Sequence, residues 1–372
     1  VTDSFNYWNG CGSRSVCMNK VQKIAITGND EDQRLDRWLK KRFSYLKQSH
    51  IEKICRKGDI RIDGKKAKPS TRIEAGQIVR VPPFIEKPDN NFSKNLRPIS
   101  KDDKIMLQES VIYKDEHLLV INKPSGIPVQ GGTGQPRHID GLSTVLKFGY
   151  EEKPRLVHRL DKDTSGILLM ARTGKAAKHL TAAFRHRETR KVYWAAVAGA
   201  PTVKTGTINY GLVKMPGHGP NGAGEKMICV HPDDVKETAN AKRATTDYAI
   251  IENAGQRVSW LIMVPITGRT HQLRAHISEL GHPIIGDGKY GTNRQINEGD
   301  GWGAQLGGEI SRKLHLHSKS LSFMHPFTNE VVSFSAPLPE HMIKTWDFLD
   351  WNVNMEIDDP FKKDGLRDVT FN

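Results

Sequence analysis

Residues 158–166 read HRLDKDTSG, the densest polar cluster in a chain of 372 residues. An apolar run at 166–171 follows directly and is typical of a buried strand. Arg159, Asp161 and Asp163 are two residues apart, so in an extended segment their side chains project to the same side. Asp161 is therefore a candidate nucleophile or base. A turn in which aspartate and threonine side chains bind backbone donors is the alternative interpretation.

Residues 267–276, TGRTHQLRAH, form a second polar cluster after another strand-like run. If they are helical, Thr270 and Arg274 share one face because they are four residues apart. An arginine beside Asp161 would keep that carboxylate ionised at neutral pH, as a nucleophile requires. A purely structural ion pair is the alternative explanation for Arg274.

The positive charge of the chain is concentrated in one segment. The chain has 56 Lys and Arg against 42 Asp and Glu, a net charge of +14, and residues 33–81 hold 15 and 5 of them, a net charge of +10. A compact basic module beside a nearly neutral larger domain is typical of a protein that holds a polyanion, such as nucleic acid, and acts on it. A solvated basic face that only confers solubility is the alternative.

Composition excludes several classes of protein. No apolar run approaches the roughly 20 residues that span a bilayer, so we expect no membrane segment. The four cysteines form no CxxC pair, which excludes zinc fingers, and are too sparse for a disulfide framework. This cysteine content fits a reducing compartment.

Hydrophobic periodicity predicts two helices and a small ribbon in the basic segment. The first helix carries Leu35, Trp38, Leu39, Phe43 and Leu46 near one face. A second helix is predicted from a cap at Ser49 to Gly58, followed by a turn at Asp63-Gly64 and a strand over 78–81. Five basic side chains are expected to crowd around the helix end and the turn, where they would meet phosphates without reading bases: Arg56, Lys57, Arg61, Lys65 and Lys66.

The larger part of the chain predicts an α+β domain with many strands and few helices. Its strand-like runs lie at 111–123, 166–171, 191–199 and 258–266, and a helix starts near Gly174. We divide the chain into a tail and lead-in (1–32), the basic module (33–81), a Pro- and Asn-rich linker (82–108), the larger domain (109–345) and a tail (346–372). Two Gly- and Pro-rich stretches, 216–224 and 299–308, are predicted to be surface insertions.

The sequence predicts no metal site and no nucleotide site. His271 and His276, and likewise His315 and His317, lack the spacing and the partner ligands of a catalytic metal centre. The Gly-rich stretch 131–134 lacks the Lys-Ser/Thr of a phosphate-binding loop, so we interpret it as a turn.

The polar clusters resemble the motifs of the RluA-type RNA pseudouridine synthases. HRLDKDTSG (158–166) is similar to the signature of that family, and TGRTHQLRAH (267–276) is similar to its later motif. Three further segments match the family in the same order: INKPSG (121–126), Lys191-Val192-Tyr193 and GHPIIGDGKYG (281–291). The basic module, 33–81, resembles an S4 RNA-binding domain, so the likeness covers roughly residues 33–345.

The resemblance implies a small α/β S4-type domain followed by a mixed, mainly antiparallel β-sheet catalytic domain with flanking helices. It makes Asp161 the catalytic aspartate, Arg274 its ion-pair partner, and Tyr193 the aromatic residue that stacks on the uracil and assists proton transfer. Arg159 is expected to enter the RNA helix as the target nucleotide flips out. Other RNA-binding candidates lie in the two motifs and the S4-like segment: His158, Thr164, Arg269, His271, Gln272, Arg34, Arg37, Lys53, Arg56, Lys57, Arg61 and Lys65.

The implied activity is isomerisation of specific uridines to pseudouridine, with 23S ribosomal RNA of the large subunit or a pre-ribosomal particle as partner. No cofactor or metal is implied, and we expect a monomer in the bacterial cytoplasm. An RNA-binding ribosome assembly factor that depends little on catalysis is the alternative, although Asp161, Tyr193 and Arg274 argue against it. A metal-dependent nuclease would need a carboxylate or histidine cluster that the sequence does not offer.

Overall fold

A computed structural model describes residues 21–28, 30–43, 45–83, 99–131, 135–215, 226–291, 309–355, 357 and 359–361. The chain splits into two compact units, residues 1–98 and residues 99–372. Each unit contains its own core of buried hydrophobic residues. The two units are therefore described separately.

The first unit packs two helices and a small sheet around one core. Its elements are β1 (Gln22–Ala25), α1 (Leu35–Arg42), α2 (Gln48–Lys57), β2 (Arg61–Ile62), β3 (Lys65–Lys66) and β4 (Ile78–Val81). The strands pair antiparallel in the order β1-β4-β2-β3. The strand β1 lies in the region predicted to be a lead-in, and its neighbour Ile26 is buried, so that region belongs to the unit.

The helices of the first unit are close to the predicted ones. Helix α1 ends at Arg42, earlier than the periodicity suggested, although Phe43 and Leu46 are still buried in the core. Helix α2 begins after Lys47, so the prediction that Ser49 caps it is wrong. It ends as predicted at Gly58, whose φ of +81° lies in the left-handed region that glycine adopts without a Cβ clash.

The second unit is built on a large sheet with flanking helices. Its strands are β5 (Val111–Lys114), β6 (Leu118–Lys123), β7 (Arg155–Leu156), β8 (Ser165–Ala171), β9 (Thr189–Ala198), β10 (Thr205–Ile208), β11 (Gly211–Met215), β12 (Lys226–Val230), β13 (Lys242–Arg243), β14 (Thr246–Ala254), β15 (Val258–Pro265), β16 (Leu316–Met324) and β17 (Val331–Ser335). Its helices are α3 (Lys101–Glu109), α4 (Ile139–Leu142), α5 (Gly174–His186), α6 (Gln272–Glu279) and α7 (Glu340–Phe348), with a 3₁₀ turn at Ser143–Leu146.

Ten of these strands form one sheet in the order β10-β14-β15-β9-β16-β8-β6-β5, with β17 beside β16 and β7 beside β8. Within the described residues, only β8 and β16 pair parallel. Strands β11, β12 and β13 form a separate small sheet in the order β12-β11-β13. The predicted mixed, mainly antiparallel fold with flanking helices is therefore confirmed.

Gly166 allows the parallel strands to approach each other. Its φ is +105°, and a Cβ built on it would lie 2.3 Å from the carbonyl oxygen of Ser318. Only glycine fits this close backbone contact. The contact anchors the end of the polar segment 158–164 against strand β16.

Two further predicted boundaries differ from the structure. Residues 101–108, assigned to the linker, belong to helix α3, and Leu107 is fully buried in the core of the second unit. Part of the predicted tail also packs into a core, where Trp346 and Trp351 surround Trp260. Indole rings bury a large apolar area, which explains why this polar-looking segment folds onto the domain.

Several predictions lie wholly or partly outside the described residues: the tail 1–20, most of the linker, the glycines at 132–134 and the insertions at 216–224 and 299–308. Among the described residues, every helix is too short or too polar to cross a bilayer.

Candidate active site

The two polar clusters line one cavity of about 600 Å³ in the second unit. One wall is the segment 157–161 before β8. A second wall comes from the end of α5 and the start of β9, and a third from residues 267–274, which lead from β15 into α6. The structure therefore brings together segments that are more than 100 residues apart in the chain.

Asp161 lies on the first wall with its side chain 19% exposed. Two nitrogen atoms approach its carboxylate: Nη1 of Arg274 at 3.5 Å and Nε2 of His271 at 3.8 Å. In both contacts the nearer oxygen is Oδ2. Both distances are long for hydrogen bonds, and contacts of this kind commonly tighten when substrate binds.

Arg274 makes its stronger ion pair with another carboxylate, that of Asp287. Its Nε and Nη2 donate to the two oxygens of Asp287 at 2.7 Å each, and the two side chains are 5% and 0% exposed. Although burial alone would raise the pKa of Asp287, the guanidinium of Arg274 holds that pKa below its usual value. Arg274 is therefore fixed by Asp287 and presents its remaining nitrogen to Asp161.

The start of α6 differs from the predicted helix. The helix begins at Gln272, so Thr270 precedes it, and the predicted helical face shared by Thr270 and Arg274 is wrong. His271 is the N-cap residue, with a φ of +51° in the left-handed region. Its Nδ1 lies 3.0 Å from the hydroxyl of Tyr290, and its Nε2 faces Asp161.

The segment that carries Asp161 is held by the INKPSG stretch. Lys123 is completely buried, and its Nζ donates to the carbonyl oxygens of Pro124, Ile127 and Lys162. Burial lowers the pKa of Lys123 to about 7. Lys123 is the last residue of strand β6, and Lys162 directly follows Asp161. The bond from Lys123 to the carbonyl of Lys162 therefore links the loop that carries Asp161 to β6.

Tyr193 projects from β9 toward the cavity. Burial raises the pKa of its hydroxyl to about 12, with the charge of Asp161 acting in the same direction. Its phenol therefore stays protonated at neutral pH. That state suits a ring that stacks on a base and donates a hydrogen bond, and it argues against a phenolate that removes a proton.

Positive charge surrounds the cavity. Among the described lining residues, Asp161 is the single carboxylate, and six side chains are cationic: Arg159, Arg185, Arg187, Lys191, Arg269 and Arg274. Arg159 and Arg269 are exposed. Burial, together with the charge of the nearby Arg187, lowers the pKa of Lys191 to about 8. This surface suits a polyanion whose target group enters the cavity.

Of the predicted RNA-binding residues, His158 has internal partners and Thr164 is buried. The ring of His158 stacks on Phe184 with centroids 4.3 Å apart, and its Nε2 accepts a hydrogen bond from the N–H of Leu169. Burial lowers the pKa of His158 to about 3, so it is neutral. Thr164 is only 3% exposed. These two residues lie at the cavity but offer RNA little free polar surface.

Gln272 is also engaged within the protein. Its carbonyl oxygen accepts from the hydroxyl of Thr267 and the N–H of Arg269, and its amide nitrogen donates to the carbonyl of Thr245 and the hydroxyl of Thr246. Every hydrogen-bonding group of this side chain is used. Gln272 therefore shapes the loop before α6 rather than binding RNA.

The basic candidates of the first unit are mostly free at its surface. Arg37, Lys53, Arg56, Lys57 and Lys65 are all exposed. Two other candidates have internal partners. Arg34 pairs with Asp36 at 2.7 Å, and Arg61 donates to the carbonyls of Gly58 and Gly64. The Arg61 bonds join the end of α2 to the turn, whereas the sequence analysis expected this side chain to meet phosphates there.

The residues of the site that were not assigned a role by the sequence include Arg187, Lys191, Asp287 and Tyr290. Asp287 and Tyr290 belong to GHPIIGDGKYG, and Lys191 belongs to the Lys-Val-Tyr element, so the motifs contained them without showing their partners. No group of three or more His, Cys, Asp or Glu among the described residues is placed to hold a metal ion.

Comparison with known proteins matches both units. The family described as RNA pseudouridylate synthase matches residues 117–279, and the S4 domain family matches residues 33–79. A protein of Vibrio vulnificus (strain CMCP6) named ribosomal large subunit pseudouridine synthase C is 36% identical over 343 residues, which cover 88% of this chain and 97% of the relative. The protein of that name from Escherichia coli (strain K12) is 33% identical, covering 86% and 94% of the two chains.

A solved structure is also similar. Human RNA pseudouridylate synthase domain containing 4 matches with a TM-score of 0.54 and 28% identity, covering 67% of this chain and 97% of that one. The sequence relatives and this structure agree on the resemblance that the polar clusters indicated.

Proposed function

The chain belongs to the RNA pseudouridylate synthase family, and from this membership we propose that it isomerises specific uridines of large-subunit ribosomal RNA, with Asp161 as the attacking carboxylate. The S4 match and the relatives named for the large ribosomal subunit support this substrate. The observation that carries the assignment of Asp161 is its position: it is the single carboxylate among the described cavity-lining residues, beside Arg274 and Tyr193.

RNA binding is the first step of the proposed reaction. The exposed cations of the first unit and of the cavity mouth neutralise phosphates, and a target uridine leaves its stack to enter the cavity. Unstacking costs a few kcal/mol, which phosphate contacts and an inserted Arg159 offset. The cavity of about 600 Å³ has room for the flipped base and its ribose.

The isomerisation begins at the Asp161 carboxylate. Its electron pair forms a bond to the substrate, either at C1′ of the ribose or at the uracil ring, and the bond between N1 and C1′ breaks. The uracil rotates, C5 bonds to C1′, and Asp161 leaves. The hydrogen on C5 departs as a proton and the freed N1 gains a proton, so substrate and product are isomers.

The neighbours of Asp161 suit this role. The guanidinium of Arg274 lies 3.5 Å from the carboxylate of Asp161, so a positive charge stands beside the proposed nucleophile. The protonated phenol of Tyr193 offers a face to the base and a hydrogen-bond donor. We further propose that the protein works as a monomer in the bacterial cytoplasm. We also propose that the reaction uses no metal or cofactor, since each of its steps is a proton transfer or a displacement.

The deciding experiment measures tritium release from ribosomal RNA labelled at C5 of uridine. We expect wild type to release tritium and Asp161→Asn to be slower by at least about a thousandfold, because the amide is a poor nucleophile. RNA affinity should stay within a few fold, because Asp161 contributes no attraction for phosphate.

Equal release by the variant would reject Asp161 as the nucleophile. A lack of release from naked RNA by wild type, with binding intact, would favour a partly assembled particle as substrate or the assembly-factor alternative. Repeating the assay on large-subunit precursor particles separates these two, since only an enzyme releases tritium from them.

A further inference from the structure

Tyr290 contacts both of the side chains that approach Asp161. Its hydroxyl lies 3.0 Å from Nδ1 of His271, and its ring lies 5.2 Å from the guanidinium of Arg274. The same hydroxyl accepts a hydrogen bond of 2.9 Å from the N–H of Met227 in the small sheet. Tyr290 is 4% exposed, so these contacts form inside the protein.

The hydroxyl of Tyr290 restricts the position of the proton on His271. A neutral imidazole carries one N–H, and a phenol has one proton to donate. If Nδ1 carried the proton, it would donate to the Tyr290 oxygen, and the bare Nε2 would face the carboxylate of Asp161. If Tyr290 donates to Nδ1, the proton sits on Nε2 and points toward Asp161, so every group has a partner of the right kind.

The surroundings of His271 keep it neutral at neutral pH. Burial lowers its pKa, and the charges of Arg274 and Lys289 lower it further. Asp161 and Asp287 act in the opposite direction without overcoming this. His271 therefore carries a single ring proton, which lies either on Nδ1 or on Nε2.

We propose that Tyr290 is a positioning residue that holds His271 as its Nε2–H tautomer, so that His271 is a second donor, beside Arg274, to Oδ2 of Asp161. The inference rests on the proposed role of Asp161. During the reaction the carboxylate loses charge as it bonds to substrate and regains charge as it leaves. Two fixed donors on Oδ2 stabilise that returning charge, since they need no reorganisation at that moment.

The tautomer is measured first, without RNA. In protein labelled with ¹⁵N in histidine, the signals missing from His271→Gln identify His271. We expect wild type to show a protonated Nε2 and an unprotonated Nδ1 at pH 8, and Tyr290→Phe to show a mixture of both tautomers. A wild-type signal with the proton on Nδ1 would overturn the inference even if the enzyme makes pseudouridine.

Single-turnover tritium release then tests the consequence. We expect Tyr290→Phe to be about tenfold slower than wild type at pH 8, with unchanged RNA affinity. At acid pH, below the lowered pKa of His271, the gap should narrow to about twofold, because protonated His271 carries a hydrogen on both nitrogens whatever its neighbour. A rate loss that stays constant with pH would show that the hydroxyl acts only through stability.

Two further variants complete the experiment. His271→Gln does not titrate, so the ratio of its rate to that of wild type should be the same at pH 8 and at acid pH. Tyr150→Phe removes a hydroxyl that donates to the carbonyl of Glu116, outside the cavity, and should match wild type at both pH values. An equal loss in Tyr150→Phe would reject the specific role of Tyr290.

Discussion

The two units of this protein carry positive charge in opposite ways. In the S4 unit, Arg37, Lys53 and Arg56 are exposed on helices α1 and α2. In the catalytic unit, Arg274 is 5% exposed between two carboxylates, and Lys123 is 0% exposed among three carbonyl oxygens. Exposed charges attract RNA at a distance and act almost independently, whereas buried charges depend on every partner. A single substitution should therefore matter far more in the second unit.

The largest effect is expected where backbone packing, not charge, is disturbed. Gly166→Ala places a Cβ within 2.3 Å of a carbonyl of β16, so the parallel contact that ends the Asp161 segment must open. We expect a loss of at least about 3 kcal/mol in the free energy of unfolding, near the large end for single substitutions. Urea denaturation of the full chain measures it.

Gly64→Ala in the S4 unit is the matched control. Gly64 also has a positive φ, of +77°, but a Cβ there meets no atom within 4 Å. Its cost should be only the strain of the left-handed conformation, about 1–2 kcal/mol. Equal losses in the two variants would show that β8 and β16 separate easily and that the packing argument is wrong.

The second prediction removes the charge that fixes Arg274. Asp287→Asn keeps the size of the side chain but leaves a buried guanidinium with a weaker partner, so we expect a loss of about 3 kcal/mol in stability. The single-turnover rate should fall about a hundredfold, because the misplaced Arg274 no longer holds Asp161. RNA affinity should change little, since Arg274 is buried.

The pH dependence of stability gives an independent check. Because the folded protein lowers the pKa of Asp287, its contribution is present above the unfolded pKa of about 3.9 and is lost as pH falls through the lower folded value. The stability gap between wild type and Asp287→Asn should therefore shrink below about pH 4. Asp233→Asn is the control: its side chain is 88% exposed and its contact with the exposed His231 at 3.4 Å contributes little, so the substitution should change stability by less than about 1 kcal/mol.

Much of this contrast follows from the sequence, because local patterns report exposure well. The helical spacing around Leu35 and Trp38 placed the basic residues of α1 and α2 on the outer faces, and the polar clusters at 158–166 and 267–276 marked the cavity. The mainly antiparallel sheet followed from the family resemblance. The helix faces and the polar clusters could be predicted because they depend on residues that are neighbours in the chain.

The partners of buried polar groups do not follow in the same way. Nothing near Arg274 in the chain shows that Asp287, 13 residues later, takes two of its nitrogens, because the turn after α6 brings them together. Gln272 and His158 looked equally available for RNA, and only tertiary contacts with Thr246 and Phe184 give them internal roles. Likewise, Trp351 lies in a segment rich in polar residues, so the local pattern did not show that its side chain is buried.

The smallest effects are expected in the S4 unit. Arg56→Ala, Lys57→Ala and Lys65→Ala each remove one exposed cation, so each should weaken RNA binding about two- to threefold and lower the slope of log affinity against log salt by up to about 1. The three losses should add in the triple variant, because exposed charges interact weakly with one another. The single-turnover rate at saturating RNA should not change, since the cavity is untouched.

Filter binding at several salt concentrations measures the slope. The control is Lys344→Ala, at an exposed lysine already paired with Glu340 on helix α7, and it should leave the slope unchanged. If the slope of the triple variant is unaltered, the RNA binds to the catalytic unit alone. The exposed charges of the S4 unit would then serve solubility, and those of the catalytic unit would serve binding.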